Sequence, residues 1–251
     1  MTLTFVTAFL NMKEERPSCR SLDTYMSLFQ HLIDSNINIH VYLSPDYYEM
    51  FKDKLTSTSV FVEKIQLSEL RAYREVMNIN YVLPAIRNND KDTFNYITCM
   101  NSKTEFVRKA IDNNVFNSTH FAWIDFGIFH FITNIQNTKA IINKLGITPL
   151  KSNVLVMPTI YRRSPTINFS KVNWRFPGSF FFGDKESIIE FDTLYQNNFL
   201  KIITQFGILT WEVNVWEWFE HFLDWKPFVY SVRSHNDSIF ENIPFNEIQS
   251  Q

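Results

Sequence analysis

Glycine is scarce in this chain: five residues in 251. None of them falls in a G-x-G-x-x-G or G-x-x-x-x-G-K-[ST] run, so the chain carries neither of the glycine-rich loops that cradle phosphates at a helix N-terminus. Cysteine is scarcer still. Cys19 and Cys99 lie far apart in the sequence, which excludes zinc-ligand spacing and a disulfide framework and fits a reducing compartment. Neither sign of charge is in excess: 24 Lys and Arg face 26 Asp and Glu, and the two signs are interspersed. That removes the electrostatic footprint expected of a nucleic-acid partner or of a protein held on an anionic membrane. Long apolar runs are missing too. The opening run Leu3 to Leu10 has no basic residue before it and is too short to span a bilayer, so it reads as a buried strand rather than a signal or an anchor. A cytoplasmic location is expected, with any membrane contact peripheral.

Apolar and aromatic residues are plentiful: 45% of the chain is hydrophobic, with 25 Phe, 10 Tyr and 6 Trp. This supports one sizeable core and a single domain over residues 1–251. After the first strand and a polar segment from Asn11 to Arg20, Leu22, Tyr25, Met26, Phe29, Leu32 and Ile33 recur at helical steps. Ile37, Ile39, Val41 and Leu43 alternate as a second strand, Tyr47 to Leu55 forms a short helix beside Pro45, and Val60, Val62 and Ile65 supply a third strand. The order β-α-β-α-β with right-handed crossovers makes a mostly parallel sheet flanked by helices, an α/β fold. Leu70, Tyr73 and Val76 mark a helical stripe, and residues 88–92 form a polar turn. Further on, Ser102 with Glu105 predicts a capped helix to Ile111. Val154 to Met157 reads as a strand ended by Pro158. Another strand lies between Gly178 and Gly183, helices are expected over Ile188 to Ile203 and Thr210 to Phe219, and the tail from Ile243 is expected to fray.

The most informative stretch is Thr119-His120-Phe121-Ala122-Trp123-Ile124-Asp125-Phe126-Gly127-Ile128. Its apolar run reads as a doubly covered strand, and Asp125 then projects from the carboxyl edge of the sheet, where ligands of open α/β folds collect. Gly127 lets the backbone turn and approach a bulky ligand closely. A carboxylate there is placed to hold a divalent metal carrying a diphosphate. The competing reading is that Asp125 caps the following helix, as Asp-x-Gly turns commonly do. His120 and His130, on either side, read as structural.

Thr4 to Phe9, Thr104 to Val107, His120 to Ile128 and Thr210 to Trp216 together resemble the HtrL/YibB family, from the first strand to about residue 220. The resemblance implies a GT-A-like (Rossmann-like) glycosyltransferase of glycan assembly, moving a sugar from a nucleotide-sugar donor to a glycan or lipid-linked acceptor. It divides the chain into a nucleotide-sugar-binding half, 1–127, and an acceptor-binding half, 128–251. Thr7, Ala8 and Phe9 would then lie by base and ribose, and Arg16 or Arg20 would face the phosphates. Such enzymes hold Mn²⁺ or Mg²⁺ on an Asp-x-Asp motif to neutralise the leaving diphosphate. Asp125 takes that place, with His235 as second metal ligand, but positions 123 and 127 are Trp and Gly. Lys103 and Arg108 would supply positive charge if no metal does. Glu212 is the candidate general base beside Asp125, with a buried salt bridge as its alternative, and Asn214 would orient hydroxyls. Gly178 and Gly183, with Phe180 to Phe182 between them, would bound the acceptor side. The competing class is a non-catalytic carbohydrate- or nucleotide-sugar-binding protein. A nucleotidyltransferase is disfavoured by the missing phosphate loops.

Overall fold

The computed structural model describes residues 3–12 and 20–250; Arg16 and Cys19 lie outside them. The predicted opening is observed as β1 (Leu3–Phe9), α1 (Leu22–Ile33), β2 (Asn38–Leu43), α2 (Pro45–Phe51) and β3 (Val60–Lys64). There follow α3 (Arg71–Val76), α4 (Phe94–Met100), α5 (Lys103–Asn113), β4 (His120–Ile124), α6 (Ile135–Ile147) and β5 (Leu155–Thr159). The chain continues through β6 (Phe180–Asp184), α7 (Lys185–Phe206), α8 (Glu212–Phe222), β7 (Phe228–Ser231), α9 (Ser238–Glu241) and α10 (Phe245–Ile248). Among the described residues the strands form one seven-stranded sheet in the order β3-β2-β1-β4-β6-β5-β7. β6 runs antiparallel to both its neighbours and every other pairing is parallel.

Period-two alternation divides the apolar residues of each strand between two cores. In β4, Phe121 and Trp123 join Val6, Tyr42 and Phe181 on the face covered by α5, α7 and α8. Ala122 and Ile124 join Phe5, Val41 and Phe180 on the face covered by α1 and α6. Both faces are dry, which is why the strand reads as an unbroken apolar run. From β1 the chain steps outward through β2 and β3, then returns to β4 on the other flank of β1. The carboxyl ends of β1 and β4 therefore form a topological switch point, the usual place for a crevice in such a sheet.

Several local expectations are corrected. Ser102 precedes α5 but makes no side-chain cap; its hydroxyl donates to Thr98 O at 2.9 Å, and Glu105 accepts the Arg71 N–H at 2.7 Å. The end of α4 runs so close to α5 that the hydroxyl bonds backward and no capping box forms. Pro158 lies inside β5 rather than ending it. β6 pairs with β5 only at Leu155 and Val156, so the missing Pro158 donor falls where that side of the ladder has already ended. The tail does not fray as far as it is described: Ile243 and Ile248 are buried, and Lys151 N–H donates to Ile248 O at 2.8 Å.

Candidate active site

Trp123 and Asp125 point to the same face because they are two residues apart on an extended strand. Asp125 prolongs β4 by one bond, its N–H donating to Ser179 O at 3.0 Å, and its carbonyl then accepts the Ile128 N–H at 3.0 Å to start the turn. The side chain caps nothing. Oδ1 accepts Trp123 Nε1–H at 2.8 Å and lies 3.3 Å from the Lys103 ammonium.

Lys103 opens α5 and Glu212 opens α8, where a carboxylate also suits the positive end of the helix dipole. Lys103 Nζ donates to Glu212 Oε1 and to Gly178 O, each at 2.8 Å. One ammonium thus joins two carboxylates. The side chains of Lys103 and Glu212 are 3% and 6% exposed, whereas that of Asp125 is 35% exposed, so Asp125 is the one that meets the cleft. Burial opposes the Lys103 charge, but Asp125 and Glu212 outweigh it and hold the ammonium above its ordinary value. Burial pushes the Glu212 carboxyl up; Lys103 pulls it back in part, and Asp125 pushes it further up.

Gly178 is what lets α8 come this close. Its φ is +75°, and a Cβ there would stand 2.7 Å from Glu212 Oε1 and 2.9 Å from Val213 Cγ1. Gly178→Ala is expected to cost about 1–2 kcal/mol for the left-handed backbone alone, with a further loss from displacing Glu212. Chemical denaturation read by tryptophan fluorescence checks it; an unchanged midpoint contradicts it.

Two cavities meet at Asp125. One, of about 290 Å³, is bounded by Ala8 and Phe9 from the end of β1, by Tyr25 and Gly127, and by Arg20 and Lys91. The other, of about 300 Å³, is bounded by Trp174, Trp211, Ser179, Glu212 and His235. Lys91, Tyr96, Asp125 and His130 belong to both. A larger cavity of about 890 Å³ lies at the opposite, amino edge of the sheet, against the first residues of β5 and β7. Leu155, Phe191, Leu194 and Trp225 line it, and no set of buried polar groups converges there as one does around Asp125.

Of the expected site residues, Ala8, Phe9, Lys103, Asp125, Gly127, Glu212 and His235 converge on this cleft. Thr7 does not. It is fully buried on the far face of β1 from Ala8, and its Oγ1 has no partner among the described residues. Arg108 does not either: five residues along α5 from Lys103 it faces outward and bonds Asp112 at 3.0 Å. Gly127 has a φ of −98°, so no left-handed turn requires it; a Cβ there would meet the Tyr25 ring at 3.2 Å. Asn214 is fully buried and ties the 171–173 loop to α8, accepting the Asn173 N–H at 2.7 Å and donating to Lys171 O at 2.9 Å. Phe180, Phe181 and Phe182 are core residues, and Gly183 pairs with Phe121 at the far end of β4, so none of them borders the cleft. Trp174 and Trp211 are the aromatic walls instead. Lys91, Tyr96 and His130 also line the cleft, and they come from a turn, a short helix and a 3₁₀ segment with no sequence pattern linking them.

The donors around Asp125 do not fit a divalent ion. Its Oδ1 is taken by Trp123 and Lys103, and His235 Nε2 lies 2.8 Å from Pro177 O, leaving Asp125 Oδ2 and His235 Nδ1. No group of three His, Cys, Asp or Glu side chains able to hold a metal occurs among the described residues. A cation at Asp125 would also face a buried ammonium at short range. Burial lowers the pKa of both His130 and His235, which favours their neutral forms.

A family model described as a bacterial protein of unknown function (HtrL_YibB) matches residues 1–209. No curated protein matches the chain. Solved structures with a similar architecture include mouse xyloside xylosyltransferase 1 in its apo form, 8% identical, with 91% of this chain and 84% of that chain covered and a TM-score of 0.46. Another is Rv0371C of Mycobacterium tuberculosis H37Rv in complex with manganese, 8% identical, with 98% and 94% covered and a TM-score of 0.43. A third is the 4-diphosphocytidyl-2C-methyl-D-erythritol synthase of Anaerococcus prevotii DSM 20548, 11% identical, with 95% and 92% covered and a TM-score of 0.45. Among the described residues no helix is long and apolar enough to cross a membrane.

Proposed function

The chain belongs to the HtrL_YibB family, and from that premise we propose that it is a GT-A-like glycosyltransferase, moving a sugar from a nucleotide donor to a glycan or lipid-linked acceptor. The observation that carries this reading is the placement of Asp125 at the meeting point of two unlike cavities. The first sits at the switch point and is bounded entirely by residues 8–130, with Tyr25 and Tyr96 offering ring faces for a base and Arg20 and Lys91 offering charge for phosphates. The second draws on both halves of the chain and offers Trp174, 39% exposed, as a face for a sugar ring. Donor in the first and acceptor in the second puts the transferred carbon beside Asp125.

In that arrangement Asp125 is the base. It takes the acceptor hydroxyl proton as the new glycosidic bond forms on the face opposite the departing nucleoside diphosphate. Glu212 serves differently from a solvent-facing base: its Oε1 anchors Lys103, which in turn orients Asp125. The reading of a non-catalytic carbohydrate binder draws its support from Asp125 having one oxygen already occupied.

A thermal-shift screen of the purified protein against UDP-, GDP-, CMP- and dTDP-sugars, with hydrolysis or transfer of any stabilising donor then measured, tests the proposal. A donor that raises the melting temperature and is turned over supports it and names the donor class. Binding without turnover, against a broad acceptor panel, favours the non-catalytic reading. No shift from any donor overturns the assignment of the first cavity.

A further inference from the structure

We infer that Arg20 and Lys91, rather than a divalent ion, carry the charge of the donor diphosphate, so that nucleoside diphosphates bind this cleft without metal. The inference rests on the proposed function, since it assigns the first cavity to the donor. Its starting point is the pair of cationic side chains that line that cavity. Among the described residues, the ionisable side chains bounding it are Arg20, Lys91, Asp125, His130, Tyr25, Tyr96 and Cys99. Asp125 Oδ1 already has the Lys103 ammonium at 3.3 Å, and desolvation favours the neutral form of His130. Among the described residues Arg20 and Lys91 are the cationic side chains that bound this cavity, and the diphosphate of a nucleotide sugar carries two negative charges.

The two cations reach the cavity from unrelated segments. Arg20 is exposed just ahead of α1. Lys91 stands on a turn fixed by its own hydrogen bonds: Asn88 Oδ1 accepts the Asp90 N–H at 3.1 Å and the Lys91 N–H at 3.2 Å, and Asp92 Oδ2 accepts the Asn88 N–H at 3.0 Å. Its ammonium lies 5.1 Å from the centre of the Tyr96 ring. Asp92 Oδ1 lies 3.8 Å from it, but Asp92 borders the acceptor cavity and not the donor one. Arg20 and Lys91 both line this one cavity of about 290 Å³. A metal has no comparable seat, because Asp125 Oδ1 already accepts from Trp123 and Lys103 and only Oδ2 of that carboxylate is left, beside a buried ammonium. Lys103 itself is a positioning residue: its contacts with Gly178, Glu212 and Asp125 leave it 3% exposed.

Calorimetric titration with UDP, GDP, CDP and dTDP, and with the matching monophosphates, in EDTA and then with Mn²⁺, is the test. The expected result is that at least one diphosphate binds in EDTA, more tightly than its monophosphate and less tightly as salt rises. Lys91→Met and Arg20→Met should each weaken diphosphate binding at least tenfold while changing monophosphate binding less, with the melting temperature of the free protein held. Diphosphate binding that requires Mn²⁺ overturns this inference and leaves the transferase reading standing. Undiminished binding by both variants overturns it as well. No nucleotide binding under either condition overturns both.

Discussion

Lys103→Met is expected to destabilise the fold by about 3–5 kcal/mol, the usual cost of removing one partner of a buried ion pair. The ammonium it removes is the shared partner of Glu212 and Asp125 and also fills the carbonyl of Gly178. Glu212, 6% exposed, would be left buried without a counter-ion. It escapes part of the penalty by taking up a proton, and that gives the loss a pH signature. A carboxyl whose folded pKa is raised binds more protons folded than unfolded between the two values, so stability falls as pH rises through that window. The deficit of Lys103→Met should therefore be smallest in mild acid and grow toward neutral pH. Adding Glu212→Gln should recover part of the stability and flatten the pH dependence. Urea denaturation from pH 4.5 to 8 measures both effects. A pH-independent loss under about 1 kcal/mol would mean that the pair is hydrated and unimportant.

Asp125→Asn is the counterpart at the surface of the same cluster. Asparagine keeps an oxygen for Trp123 Nε1–H and keeps the size of the side chain, but it cannot accept a proton from an acceptor hydroxyl. Transfer should fall by about 10²- to 10⁴-fold in kcat, with the melting temperature lowered far less than by Lys103→Met, because the Asp125 side chain is 35% exposed. Single-turnover transfer assays and thermal unfolding on the same sample separate the two quantities. Equal, large losses of stability and turnover would make Asp125 a structural residue and return the catalytic role to Glu212.

The reach of sequence reasoning differs between strand and site. Phe121 to Ile124 was legible as a doubly covered strand, and Asp125 as a carboxylate at its edge, because an apolar run that stops at an acid records burial on both faces and then its end. Leu22 to Ile33 was equally plain from spacing. Arg108 was misread because sequence places it near Lys103, whereas a helix turns it well away from the cleft within five residues. Phe180 to Phe182 were misread because an aromatic run beside glycine suits a sugar platform as well as a core strand, and local pattern does not separate the two. Ser102 and Glu105 matched a capping box but met partners on Thr98 and Arg71.

The sequence by itself determined the layered α/β architecture, the central strands and the position of Asp125 at the edge of the sheet, since periodicity and apolar runs are local consequences of which face is dry. Only the tertiary structure decided which partners Asp125 meets there. It brought Lys103 to Glu212 across 109 residues, placed the carbonyl of Gly178 on the same ammonium, and set Arg20 and Lys91 around one cavity. Those contacts depend on how α5 and α8 pack against the sheet, and a buried charge is specified by the partner that compensates it, which no local pattern records.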